Sequence, residues 1–174
     1  MSRDASSLWR NKKSREIILL KPDFIKEAHM KISSPDFEEG GMMPRETTCE
    51  GRDVSPELNI SGVPEGTKSL ALICDDPDAP SGTFVHWLVW NMPPDTQRIE
   101  RGKEPAGIQG VNGFGGRGYR GPCPPSGTHR YFFRLFALRE KLDLKEGSKK
   151  QALKEAMDPH IIARAELMGR YKRG

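Results

Sequence analysis

Punctuation by glycine and proline constrains this chain more than any other feature. Eighteen glycines and fourteen prolines are spread along 174 residues, and each cuts or bends regular structure. What survives between them is short. Leu70-Ala71-Leu72-Ile73-Cys74, Phe84 to Trp90 and Tyr131 to Leu138 are apolar runs of strand length. Because they do not alternate with polar residues, they predict strands covered on both faces. Only residues 149–168 read as helical. Lys149 to Met157 carries Ala152, Leu153, Ala156 and Met157 at helical spacing. Asp158-Pro159 then predicts a second helix, with Asp as N-cap and Pro at the first helical position. Ile161, Ile162, Ala165 and Met168 supply its apolar stripe and Gly169 its end. The expected fold class is mainly β: a two-sheet antiparallel β-sandwich with one or two C-terminal helices.

The body of the chain starts at about Met30. Residues 1–29 are polar and without a sustained period, and they carry seven Lys/Arg against four acids. This leaves 21 basic and 20 acidic residues in 30–174, so most of the formal +4 charge sits in the leading segment. A near-neutral body argues against a nucleic-acid partner, which needs positive charge gathered on one face. Lys26-Glu27-Ala28 can be encoded by a ribosome-binding sequence just before Met30. Residues 1–29 are therefore read as an N-terminal extension, with Met30 as the expected start, and 30–174 as one domain. No apolar run reaches the length of a membrane span. Three cysteines, Cys49, Cys74 and Cys123, form an odd set without a CxxC pair. They predict neither a disulfide framework nor a zinc site, and with no signal-like segment they place the protein in the cytoplasm.

Three groups of residues carry candidate chemistry. Asp75-Asp76-Pro77-Asp78-Ala79-Pro80 follows the first apolar strand, and its two prolines hold the Asp76 and Asp78 carboxylates. His86 lies within the second strand, where strict alternation puts Phe84, His86, Leu88 and Trp90 on one face. His129-Arg130-Tyr131 opens the third, after a stretch of seven glycines between Gly107 and Gly121 and the segment Gly121-Pro122-Cys123-Pro124-Pro125. Arg130 points away and ties a neighbouring acid. Each group has a structural explanation of its own: a turn, a core histidine, a strand start. Together they predict one pocket in which nearby carboxylates favour protonated imidazoles. Histidine N–H groups and the free amides of Gly121, Cys123, Ser126, Gly127 and Thr128 would then face an anion, while the carboxylates could receive a ligand ammonium.

Those same segments, DDPDAP, HWLVWNM and GYRGPCPPSGTHRYFFRLFAL, resemble the phosphatidylethanolamine-binding protein family, and within it the bacterial and archaeal Raf kinase inhibitor-like branch. SPDFEEGG at 34–41, SPELNISGVPEGTKSLALI at 55–73 and the terminal AELMGRYKR extend the resemblance over about residues 30–173. It implies a sandwich with a small pocket for phosphate, acetate or phospholipid headgroups. Carried over by motif, the pocket residues are Asp76, Asp78, Pro80, His86, Tyr119, Gly121, Cys123, Pro124, His129 and Tyr131. Cys123 stands where animal members usually have glycine, Trp87 where they have phenylalanine, and the loop before His129 is two residues shorter.

The function expected from this is non-enzymatic binding of a small anionic or phosphorylated ligand, with no catalytic residue, metal or cofactor. The alternative is a protein-interaction regulator, an inhibitor of a serine protease or a kinase, acting as monomer or homodimer. Catalysis lacks its usual parts: there is no GxSxG elbow, no HExxH, and no helix N-terminus beside Cys123.

Overall fold

The computed structural model describes residues 29–174; the predicted extension, apart from His29, lies outside them. Eight strands and one helix follow in order: β1 Lys31–Ser33, β2 Leu58–Ser61, β3 Ser69–Asp76, β4 Phe84–Met92, β5 Arg98–Ile99, β6 Ile108–Gln109, β7 Thr128–Leu138, α1 Lys150–Met157 and β8 Ile161–Lys172. They form two antiparallel sheets, β1-β2-β5 and β6-β4-β3-β7-β8. The three apolar runs read from the sequence are β3, β4 and β7, which lie side by side in the larger sheet.

Their apolar character on both faces has a direct cause. Leu72, Cys74, Trp87, Val89, Phe133 and Leu135 face inward, packing against Ile32, Leu58, Ile60 and Ile99 of the small sheet. Ala71, Ile73, Leu88, Trp90 and Phe136 face outward, where Leu142, Leu153 and Met157 cover them. The molecule is thus layered as sheet, sheet and helix, with β3 buried along its whole length. Residues 110–121 run irregularly beside β4 and close its edge: Gly110 and Gly113 donate backbone hydrogen bonds to Leu88 and Val85. So close an approach requires glycine at 113, where a Cβ would come within 2.5 Å of the Phe84 ring.

Two expectations are corrected. The first is the second helix. Asp158–His160 forms a single 3-10 turn, and the chain then returns as β8, a twelve-residue strand. Period two is the better description of this segment: Leu167, Gly169 and Tyr171 are buried, while Arg164, Glu166, Arg170 and Lys172 are exposed. The free edge of β7 accepts the strand from Thr128↔Lys172 to Leu138↔Ile161. Pairing with an eleven-residue neighbour outweighs the helix propensity of Ala, Glu and Met, which are good helix formers.

The second correction concerns cysteine. Cys49 and Cys123 form a disulfide across 74 residues of chain, and the odd one, Cys74, is buried in the core. An odd count had concealed a pair, and the inference of a reducing compartment loses its premise. No helix among the described residues is long and apolar enough to cross a membrane.

The disulfide restrains a long loop in the unfolded chain. Replacing both Cys49 and Cys123 by serine is expected to lower stability by roughly 2–4 kcal/mol in urea denaturation. Alkylating the denatured, unreduced protein should modify a single thiol.

Candidate functional site

The inward face of the large sheet ends in a cavity of about 270 Å³. Its position follows from an irregularity in β4. Cys74 pairs with Trp87, but the next residue of β3, Asp75, pairs with Val85 rather than His86. One extra residue therefore sits in β4, a β-bulge, and it changes which side chains share a face. His86 turns inward beside Phe84 and Tyr131, with ring centroids 5.3 and 5.2 Å away. Leu88 and Trp90 belong to the outer core. The expected common face of Phe84, His86, Leu88 and Trp90 is thus divided at the bulge.

Both histidines are oriented through Nδ1. His86 Nδ1 lies 2.6 Å from the Arg120 carbonyl oxygen. A carbonyl only accepts, so Nδ1 carries the proton and Nε2 is left for a ligand. His129 Nδ1 lies 2.7 Å from Asp76 Oδ2. The other Asp76 oxygen accepts the Asp78 amide at 2.8 Å, so the buried carboxylate is fixed on both sides. Tyr131 is the third polar wall. It is 1% exposed, and its hydroxyl makes no well-formed hydrogen bond among the described residues, with the Asp76 carboxylate close enough to interact with it. Burial, reinforced by the Asp76 carboxylate, pushes its phenol far up, so the group stays protonated.

Burial also lowers the pKa of His86, despite the Arg120 carbonyl and nearby carboxylates that act in the opposite direction. The expectation of a protonated imidazole is corrected here: desolvation outweighs the acids. Neutral His86 presents a lone pair at Nε2 and becomes a donor only on taking up a proton.

Of the residues expected in the site, Asp76, Pro80, His86, Cys123, Pro124, His129 and Tyr131 line the cavity. Asp78, Tyr119 and Gly121 stand outside its walls. Asp78 accepts from the Arg130 amide at 2.9 Å, and from its guanidinium at 2.9 and 2.8 Å. The Arg130 hydrogen bonds hold its pKa down at about 2. It fixes the turn and the start of β7. Tyr119 donates to the Thr47 carbonyl at 2.8 Å and packs 5.5 Å from Trp87. Gly121 gives its amide to Asp53 at 2.6 Å, which removes it from the expected set of free N–H groups. These contacts, with Cys49–Cys123 and the 2.8 Å ion pair of Arg120 and Asp53, clamp the Gly/Pro loop against residues 47–53.

Sequence reasoning missed the apolar rim. Phe84, Phe114 and Pro125 complete the walls. Phe114 is 49% exposed, packs edge-on against Phe84 at 4.9 Å, and has the Arg120 guanidinium 5.2 Å from its ring. An aromatic flanked by glycines, Gly113-Phe114-Gly115, was the available signal. The role of Arg120 in orienting His86 was not readable, because a backbone carbonyl belongs to every residue type.

Comparison with known proteins agrees with this architecture. The family model for phosphatidylethanolamine-binding protein matches residues 33–172. A UPF0098 protein of Methanothermobacter thermautotrophicus is 49% identical over 151 residues, spanning 83% of this chain and all of that protein. One from Aquifex aeolicus is 46% identical, over 84% of this chain and 90% of its own length. Among solved structures, CT736 of Chlamydia trachomatis, described as a phosphatidylethanolamine-binding protein homologue, is 42% identical with a TM-score of 0.82. Escherichia coli YbcL, described as a member of the mammalian PEBP family, is 33% identical with a TM-score of 0.78. Each alignment covers 84% of this chain and 99% of the solved one.

The lowered His86 pKa has a signed consequence. The folded protein binds fewer protons at this site than the unfolded chain, so the neutral imidazole favours folding fully above about pH 6.5. That contribution is lost as pH falls from 6.5 through the folded value. NMR titration of the ligand-free protein should give His86 a midpoint below 6.5, and His86→Gln should flatten stability against pH in that window.

Proposed function

The chain belongs to the phosphatidylethanolamine-binding protein family, and from that premise we propose that the cavity binds a phosphate-type anion without transforming it. Family membership supports a ligand-binding or regulatory role in general. The finer reading rests on one observation: the buried Tyr131 hydroxyl, without a well-formed hydrogen bond of its own, shares a small cavity with two imidazoles whose Nδ1 atoms are already engaged. A buried hydroxyl without a partner costs about 1–3 kcal/mol, and an oxyanion arriving in the cavity would remove that cost.

Tyr131 O–H donates to one ligand oxygen and His129 Nε2 faces another. At His86 the proton decides the geometry. A neutral imidazole accepts from a protonated phosphate oxygen; a charged one donates to a bare oxygen. Either way one proton lies between Nε2 and the ligand: inorganic phosphate can supply it from its own hydroxyl, whereas a monoester with a dianionic phosphate, such as phosphoethanolamine, carries none there and takes it up from solvent. The carboxylates favour recognition of the phosphate end of a headgroup over its amine. Asp78 is filled by Arg130, and Asp76 by His129 and the Asp78 amide. The rim of Phe84, Phe114, Pro124 and Pro125 suits whatever the phosphate is attached to.

Catalysis is disfavoured by the chemistry of the walls. The sulfur of Cys123, the one thiol near His129 in sequence, is bonded to Cys49 and cannot act as a nucleophile. His129 is engaged by a carboxylate, but no hydroxyl is placed on it to be activated.

Calorimetry with inorganic phosphate and phosphoethanolamine tests the reading. His86→Ala and His129→Ala should each weaken phosphate by about ten- to a hundredfold, the equivalent of ~1.5–3 kcal/mol per charge-assisted hydrogen bond. Wild type should take up more protons per phosphoethanolamine, its phosphate dianionic, than per inorganic phosphate, which brings its own, read from titrations in buffers of different ionisation enthalpy. Tyr131→Phe separates binding from folding, since it should weaken phosphate several-fold while leaving stability unchanged or higher. Unaltered affinity in all three variants would remove phosphate from this cavity.

A further inference from the structure

On the outward face of the large sheet, between α1 and the β7–β8 ladder, lies a second cavity of about 740 Å³. The two cavities share no lining residue, yet they meet in the sequence. Asp75 and Asp76 are consecutive in β3, so their carboxylates leave opposite faces of the sheet. Asp76 enters the pocket described above. Asp75, which that pocket does not use, is wholly buried in the wall of the outer cavity and accepts from both Arg134 and Lys150. One carboxylate between two cations leaves positive charge over, of which Arg134 gives part to Glu166 at 2.9 Å.

Two further cations line the same cavity from different elements, Lys154 on α1 and Arg164 on β8. Neither makes an ion pair with a carboxylate among the described residues. The Arg164 guanidinium lies 5.9 Å from the Phe136 ring centroid, which leaves its N–H fork unpaired. In all, four cations face three carboxylates around the cavity, Asp158 being the third. Between these charges the half-buried Pro77 and Ala165 line the cavity, over a floor closed by the buried Ile73, Phe136 and Met157. The fold accounts for Arg134 and Lys150, because Asp75 needs them. It gives no such task to Lys154 and Arg164.

We infer that this trough is a second binding site, for an amphipathic organic anion whose phosphonate-, phosphate- or carboxylate-type head sits between Lys154 and Arg164 while its apolar body lies along Pro77 and Ala165. A guanidinium fork and an ammonium from separate elements can grip one oxyanion without moving the buried Asp75 cluster. The inference does not depend on the phosphate reading of the inner pocket, and the two can fail separately.

Octylphosphonate is a suitable probe, titrated into the full chain and followed residue by residue by NMR. Saturable shifts are expected along α1 and residues 163–166. The exposed double variant Lys154→Glu/Arg164→Glu should weaken them at least tenfold while leaving inorganic phosphate affinity at the inner pocket unchanged. In His86→Ala the outer shifts should saturate as in wild type. Methylphosphonate, with the same head and no body, should bind the trough at least tenfold more weakly. The proposal is overturned if no saturable shifts occur there, if affinity follows His86 instead of Lys154 and Arg164, or if methylphosphonate binds as well as the longer chain.

Discussion

Two adjacent carboxylates buried in the central strand set the terms for the rest of this molecule. Asp75 and Asp76 are 0% and 3% exposed, and a charge removed from water must be paired and hydrogen-bonded or it becomes very costly. Being consecutive in β3, they make that demand on both faces of one sheet. Inward, it is met by His129 and the Asp78 amide; outward, by Arg134 and Lys150. The inner answer places an imidazole in a pocket. The outer one ties the first residue of α1 to the sheet and so helps seat the helix over the outer core.

Much of this was legible before the structure. The unalternated runs located β3, β4 and β7 and required cover on both faces, which the small sheet and α1 supply. Seven of the ten expected pocket residues do line one cavity, because DDPDAP, His86 and the Gly/Pro segment lie at the ends of neighbouring strands. What failed, failed for identifiable reasons. Ile161, Ile162, Ala165 and Met168 fit a helical stripe, but Leu167, Gly169 and Tyr171 fit a strand equally well, and only the unfilled edge of β7 decides between them. The Cys49–Cys123 bond spans segments that no local pattern connects. Asp78 resembles Asp76 in sequence but stands outside the cavity wall, where Arg130 bonds both of its oxygens.

The inner pocket is better described as proton-poor than as positively charged. Burial keeps His86 neutral, Tyr131 keeps its proton, and the one carboxylate in the wall is already bonded. Such a site discriminates by where protons sit as well as by charge. It also depends on a clamped wall, since the loop bearing Cys123 and Pro124 is held by the disulfide, the Asp53 contacts and the Tyr119–Thr47 hydrogen bond. The walls are therefore set before a ligand arrives, which reduces the ordering cost of binding.

The bulge in β4 has a consequence for how such a cavity can arise. Strand residues obey a two-state rule, in or out, and the supernumerary residue at His86 shifts that reading frame for everything beyond it. Deleting a single residue there would turn the strand's end over and withdraw Phe84 and His86 from the cavity, while Asp76, His129 and Tyr131 would stay on β3 and β7. One backbone irregularity thus decides what β4 contributes to the cavity, independently of the groups that its neighbours β3 and β7 supply.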